Sequence, residues 1–490
     1  NVYGKERYNM LEKIDSTKVF TYFEEISCIP RGSGNNTAIS NYLVDFAKKH
    51  QLEYEQDAYE NVIIRKAGSK GFEDKPTVIL QGHMDMVCEK KADCQHDFLK
   101  EPLDIQIDGD YVYAKGTTLG GDDGIAVAYA LAILDDDTIV HPPIEVVITT
   151  DEETGMDGAI GLDASKLKGT YFINIDSEEE GTILTSCAGG MSVNGTYQLD
   201  RKEAEGIVIE LTVSGMQGGH SGTEIDKNRE NAVLSLGRML AEMQNEKLCF
   251  DLISIDGGLK DNAIPRDAKA KVLIPDIEVF ANIFDKIVKS MKNEVSANEP
   301  EACFAYVQKG RQKTKVFSNE VKQNLIFFLE QTPNGVQKMS AVIPGLVESS
   351  LNLGICRTEE EAVFLSFSIR SSVQSYKQYL GQRMKHLIES TGGAFEKKSE
   401  YPAWEYRADS PLRELCVKVY KEQYGESPKI EAIHAGLECG ILADKNKALD
   451  MVSIGPDIYD IHTPKERLVI SSTQRVYKFV LGILKEICQK

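Results

Sequence analysis

Residues 144–158 read IEVVITTDEETGMDG, an apolar run that stops at three consecutive acids, Asp151, Glu152 and Glu153. Adjacent carboxylates repel, so the run is unfavourable unless a cation sits between them or one of them holds a proton. Other apolar runs also stop at polar residues. TVIL leads into QGHMD with His83 and Asp85, YFINI into Asp176, and MVSIG into PDIYDIH with His462. LGGDDG adds Asp122 and Asp123 at the start of a helical stretch. Imidazole with carboxylate suits zinc, and also cobalt or manganese; these motifs offer no sulfur. Two ions about 3.5–4 Å apart need a bridging ligand, and a carboxylate can give one oxygen to each. The His-x-Asp spacing puts Asp85 on the same side of an extended segment as His83, where it can accept the proton of the other ring nitrogen and fix the tautomer.

Each residue also has a plainer use. His83 would serve as a core or loop histidine, Asp85 as a turn residue, and Asp122 or Asp123 as the N-cap of the helix GIAVAYALAIL. Glu152 and Glu153 would complement a helix dipole, and Asp176 would begin the solvated run SEEEG. Jointly the pattern is harder to explain away, because unpaired acids gathered at successive strand ends are costly without cations.

The elements that must position these residues alternate. From about 37 to 190, NTAISNYLVDFAKKH and GIAVAYALAIL read as helices, and NVIIRKA, PTVILQG, IEVVITT and GTYFINI as strands. That rhythm predicts an α/β domain with a mainly parallel sheet, whose ligands bind beyond the carboxyl ends of the strands. Between about 190 and 400, IVIELTVSG, LISIDGG, AKAKVLIP and VFLSFSIRSS alternate as strands, with ENAVLSLGRMLAEM and EVFANIFDKIVKSMKNEV as amphipathic helices. This is the texture of an inserted α+β domain. After 400 the α/β texture returns with PLRELCVKVYKEQYG, ALDMVSIG and SSTQRVYKFVLGILKEI. The expected limits are 10–188 and 401–490 for the catalytic domain and 189–400 for the insertion; NVYGKERYN, before Met10, is left outside them.

A chain of 490 residues exceeds what one core usually supports, which agrees with two domains. The net charge of −20 excludes nucleic acid as a natural partner, since a phosphate polymer would be repelled over most of the surface. No apolar run approaches the roughly 18 residues of a membrane span, and no charged-then-apolar leader opens the chain. Ten scattered cysteines without a CxxC pair read as reduced thiols of a cytoplasmic protein; Cys88, Cys187 and Cys439 lie near the motifs with no base beside them. A phosphate-binding reading of GTTLGGDDG is weak, because its aspartates repel phosphate and no GK[ST] follows.

Taken together, GHMD, GTTLGGDDG, TTDEETG, NIDSEE and IHTP resemble the M20 metallopeptidases. The variants GHMDMV, TLGGDDGIA, HAGLECG and DIHTPKERL are most similar to the aminoacyl-histidine dipeptidases among them, in the same order from about 10 to 490. The resemblance implies a zinc-peptidase α/β domain with an inserted lid, and two divalent ions, Zn2+ or else Co2+ or Mn2+. It places His83 and Asp176 on one ion, Glu153 and His462 on the other, and Asp122 between them. The family commonly has Asn after the bridging Asp, where this chain has Asp123; the bridge is assigned to Asp122 by its first place in the pair. Glu152 would be the general base and Asp85 the residue that orients His83. From the lid, His220 in SGMQGGHSG would polarise the scissile carbonyl, Asn262 in GGLKDNAIP would contact substrate, and Arg370 in FSIRSS would pair with the substrate's carboxylate. Without the resemblance these read as a loop histidine, a turn asparagine and a strand arginine. His434 and Glu438 in HAGLECG are expected near the substrate, or equally as supporting structure.

The implied reaction is hydrolysis of short peptides, Xaa-His (carnosine-like) and other dipeptides, by metal-activated water. Tripeptidases, carboxypeptidases and N-acyl amidases share the scaffold and stand as alternatives. A metal-binding protein without activity is disfavoured, because a pure binding site needs no Glu152 beside the ligand Glu153. The family pattern also allows a lid-mediated homodimer.

Overall fold

The computed structural model describes Leu11, Ile14 and residues 17–489; residue 10, the expected start of the first domain, and NVYGKERYN lie outside them. The chain forms two compact units. The first contains the described residues up to Ser186, Tyr406–Ala432 and those from Leu437 onward; the second contains Cys187–Glu405 and Ile433–Gly436. The sequence texture assigns 433–436 to the returning α/β segment, whereas these residues pack with the second unit, where His434 Nε2 meets Ser350 Oγ at 2.7 Å.

An eight-stranded sheet organises the first unit. Val78–His83 lies parallel to both Ile144–Thr149 and Tyr171–Asn174, and Asp450–Ser453 extends the parallel ladder beyond Tyr171–Asn174. Antiparallel strands flank this centre, with Val62–Lys66 on Ile144–Thr149 and Glu53–Gln56 outside it. Val78–His83 and Ile144–Thr149 are buried at every residue, as β-branched strands covered on both faces must be. The helix Gly121–Asp135 is buried from Gly121 to Leu134, because GIAVAYALAIL offers no polar face. By contrast, Ile470–Gln489 buries Val476, Val480, Ile483, Leu484 and Ile487 along one stripe. All four strands of the parallel ladder run from the alternation that the sequence displays, and their carboxyl ends deliver the polar residues.

A nine-stranded sheet, antiparallel throughout its paired strands, organises the second unit. Helices Ala232–Asn245, Ile277–Val295 and Asn319–Gln331 begin at Asn231, Asp276 and Ser318, whose side chains accept the first free amides. Their apolar faces join the sheet in one core that includes Leu236, Phe280, Phe328 and Phe367. This is the α+β texture expected of 190–400. In the long ribbon of Arg201–Ser214 with Cys303–Phe317, IVIELTVSG marks the first strand, whereas the second has no clear mark in the sequence because it is largely exposed and lacks apolar alternation. No helix among the described residues is long and apolar enough to cross a membrane.

Candidate active site

The strand Val78–His83 ends at His83, which is 1% exposed. Its Nδ1 donates to the Asp85 carbonyl at 3.1 Å and lies 3.3 Å from the Asp85 carboxylate. Nε2 is left for the acids in front of it, Asp122 Oδ1 at 3.2 Å and Asp176 Oδ1 at 3.5 Å. The other oxygen of Asp122 faces His462 Nε2 at 3.1 Å, and Glu153 Oε1 stands at the same distance from that nitrogen. His83, Asp122, Glu153, Asp176 and His462 therefore converge as their sequence positions led one to expect. The sets His83, Asp122, Glu153 and His83, Asp123, Asp176 each bring donor atoms within 4.8 Å of one another, close enough to hold an ion.

Neither aspartate caps the following helix. Gly120 occupies the N-cap position, while Asp122 and Asp123, joined by a cis peptide bond, have non-helical backbone angles. Asp123 Oδ2 accepts the His83 backbone amide at 3.2 Å, and its carboxylate also lies close to the His83 ring and Asp176. A Cβ on Gly82 would lie 2.3 Å from that oxygen, which explains the glycine before His83.

The charge balance of the cluster asks for cations. Burial raises Asp176 to about 7, helped by Asp122 and Glu153. Burial and Asp176 likewise push Asp123 well above the carboxylate range. His83 goes up despite burial, because Asp176, Asp122 and Asp85 face it, and His462 rises to about 11 through Asp122 and Glu153. Glu153 Oε1 is buried against the His462 imidazole at 3.1 Å, a pairing that a metal ion between the two would replace. Nitrogen and oxygen donors of this kind fit a zinc-type divalent ion.

The acidic run divides into separate tasks. Asp151 adopts a left-handed conformation with φ of 54°, and its Oδ1 accepts from Gly34 N at 2.6 Å and Asn36 Nδ2 at 2.8 Å. Glu152 and Glu153 begin a four-residue helix whose amides point at the Asp85 carboxylate, at 3.2 and 3.4 Å. Desolvation, then Asp176, Glu438 and Glu153, raises the Glu152 carboxyl well above its ordinary range. Glu438 is placed unlike a substrate contact: it is wholly buried, and its Oε2 accepts from Thr149 Oγ1 at 2.6 Å and from Gln81. It fastens two neighbouring strands of the sheet from within.

Within the second unit, His220, Arg370 and His434 gather around Gly222, where a Cβ would meet the His434 carbonyl, the His220 ring and the Arg370 guanidinium within 3.2 Å. His220 lies on a short strand paired with Ala263–Ile264, next to the exposed Asn262, whose carbonyl accepts from Ser221. Nδ1 of His220 accepts from the Gly222 and Thr223 amides at 3.3 and 3.1 Å, so a neutral ring carries its proton on Nε2. Burial and Arg370 lower His220 and take His434 down to about 3, which keeps both rings neutral. Arg370 Nη1 donates to Tyr401 Oη at 3.2 Å, while its Nε is buried without a partner.

Arg31, Ser33 and Glu466 belong to the first unit's site and are absent from the motifs read in the sequence. Ser33 Oγ donates to Asp85 Oδ2 at 2.8 Å, and Arg31 and Glu466 hold the backbone before Asp122. Glu466 stands four residues beyond His462 in IHTPKER, a placement that could have drawn attention to it.

A family model described as Peptidase family M20/M25/M40 matches residues 79–486, and the chain belongs to that family. It is 37% identical over 484 residues to the cytosol non-specific dipeptidase of Escherichia coli (strain K12), covering 98% of this chain and 99% of that protein. The crystal structure of aminoacylhistidine dipeptidase from Vibrio alginolyticus is similar with a TM-score of 0.91 and 36% identity, covering 99% of both chains. An aminopeptidase from Bacillus cereus shares the fold at a TM-score of 0.59 and 16% identity, over 97% of this chain and 99% of its own. The motif resemblance is borne out at the level of the family, and the expected fold with it.

Proposed function

We propose that this chain is a dipeptidase that cleaves Xaa-His and other dipeptides with two divalent ions held by His83, Asp122, Glu153, Asp176 and His462. The observation that carries the reading is the Asp122 carboxylate, with one oxygen toward His83 and the other toward His462. A shared carboxylate is what a pair of neighbouring ions needs. The buried Glu153 oxygen beside His462 and the crowding of acids support the same conclusion. The names of the Escherichia coli and Vibrio alginolyticus relatives support dipeptides as the substrate class.

When bound, the two ions would acidify a water and polarise the scissile carbonyl. Glu152 accepts the proton of the attacking water at its carboxylate and passes it to the leaving amine, a task that suits a carboxyl pushed above its usual range. Asp85 keeps the His83 proton on Nδ1 and, through the Glu152 and Glu153 amides, fixes the turn that bears the base. His220 offers Nε2–H to the developing oxyanion, and Arg370 takes the substrate's free carboxylate. Asn262 supports the peptide beside His220. His434, held by Ser350, keeps Arg370 and His220 in place rather than binding substrate. We place the activity in the cytoplasm, in line with the name of the Escherichia coli relative, and include a homodimer in the proposal, to be measured by light scattering.

The test is hydrolysis of β-alanyl-histidine and other Xaa-His dipeptides by protein stripped with a chelator and re-supplied with zinc, manganese or cobalt. Activity should vanish and return with the ion. Activity that survives complete stripping overturns the reading. Tripeptides and acylated amino acids in the same panel separate this specificity from the other M20 activities.

A further inference from the structure

The segment PRGSGNN carries no motif, yet its Arg31 is only 2% exposed. Removing a guanidinium from water is expensive unless its donors are met. Arg31 meets its Nη donors on backbone carbonyls, with Nε buried unpaired: Nη1 donates to Met84 at 3.0 Å and Asp85 at 3.2 Å, and Nη2 donates to Gly120. The first two carbonyls continue the strand that bears His83. The third belongs to the loop that bears Asp122.

Glu466 holds the same loop by its amides. Its Oε2 accepts from Leu119 at 2.7 Å and Gly120 at 3.0 Å, and its Oε1 from Gly121 at 2.8 Å. It is 3% exposed and follows His462 by four residues, so one carboxylate ties the backbone before Asp122 to the segment that carries His462. The glycines of LGGDDG give the guanidinium its room. A Cβ on Gly120 would come within 2.6 Å of Arg31 Nη2, and one on Gly124 within 2.4 Å.

We infer that Arg31 and Glu466 are positioning residues for the metal centre: they set the Leu119–Asp122 backbone so that Asp122 presents one oxygen to His83 and the other to His462. The inference rests on Asp122 being the shared ligand proposed above. A planar fork is needed because three carbonyls must be reached at once, which a lysine ammonium does not match.

The experiment titrates cobalt into metal-free full-length wild type, Arg31→Lys, Arg31→Met and Glu466→Gln. It reads the two binding steps, the visible spectrum and the magnetic coupling between the ions, then kcat and KM. The expected result is a second cobalt bound about 10–100-fold more weakly, as is typical when groups that orient a metal's ligands are changed. The coupling should fade, the first step should stay nearly constant, and kcat should fall while KM changes little. Arg31→Lys should lie between wild type and Arg31→Met. Folded variants that bind both ions with wild-type affinity and spectrum overturn the inference, as does an equal loss of both steps. Circular dichroism identifies any variant that fails to fold; if the Arg31 variants do, Glu466→Gln decides. Wild type that binds no second ion sinks the shared-ligand reading itself, a separate outcome from equal behaviour of wild type and variants.

Discussion

His462 Nε2 lies 3.1 Å from Asp122 Oδ2, although 340 residues of chain separate the two. The contact joins the non-helical first residues of the element Gly121–Asp135 to a segment near residue 460. Asp122 is the carboxylate that faces both imidazoles, whereas Asp123 Oδ2 accepts the His83 amide. Asp122→Asn leaves a neutral group between the imidazoles. It should lower kcat by at least about 10³-fold, on the scale of losing a principal electrostatic element of a site, and abolish the second ion-binding step in calorimetry. Two intact binding steps in the variant would contradict the shared role.

Glu152→Gln keeps shape and loses the proton acceptor. Turnover should fall about 10²–10⁴-fold, the usual weight of general base catalysis, while ion binding by calorimetry stays within a few-fold of wild type. Near-wild-type turnover would remove Glu152 from the mechanism.

Arg370→Met should discriminate between substrates. For dipeptides with a free carboxylate kcat/KM should fall by about 30-fold or more, the scale of truncating one member of a buried charge pair, and the C-terminal amides of the same peptides should lose far less. Equal losses on acid and amide would show that Arg370 does not read the carboxylate.

Burial raises the Glu438 carboxyl to about 8, against Thr149 and Gln81, which donate to it. An acid with a higher pKa in the folded than in the unfolded state binds more protons when folded. Its favourable share is full below the ordinary value near 4.5 and is lost as pH rises through about 8. Glu438→Gln mimics the protonated form. In denaturant titrations of metal-free protein, the variant should lose roughly 1–3 kcal/mol less than wild type between pH 5 and pH 8. Parallel pH profiles would show that Glu438 is ionised throughout.

Asp151 is the acid of the run with no place among the proposed ligands, and its hydrogen bonds to Gly34 and Asn36 give it a structural task. Asp151→Ala should cost about 1–3 kcal/mol in chemical unfolding, while Asp151→Asn, which keeps the accepting oxygen, should cost much less. A silent alanine variant would contradict this account.

The strand ends were legible because β-branched runs such as VVITT and TVIL stop at polar residues, and the order of those stops carries the family pattern. Asp85 was legible from period two alone. Arg31 was not, since nothing in PRGSGNN says that its side chain turns inward to carbonyls more than fifty residues away. Glu438 was left between a place near the substrate and supporting structure, because only tertiary packing against Gln81 and Thr149 shows where its carboxylate goes. Residues 433–436 follow the partner of His434, which lies at Ser350 and leaves no local trace.

The room made for Arg31 by Gly120 and Gly124, and for Asp123 by Gly82, has a consequence for how this chain tolerates change. These glycines leave space for charged side chains, so even an added methyl group would act on the site at a distance. A saturation library scored by dipeptide-dependent growth should find alanine at positions 82, 120 and 124 nearly as poorly tolerated as replacements of the histidines themselves. At the turn glycines 34 and 71 an added methyl group would have no neighbour to displace, but φ of +80° and +91° strains an alanine there, so replacements should cost stability of the turn without displacing a charged side chain of the site.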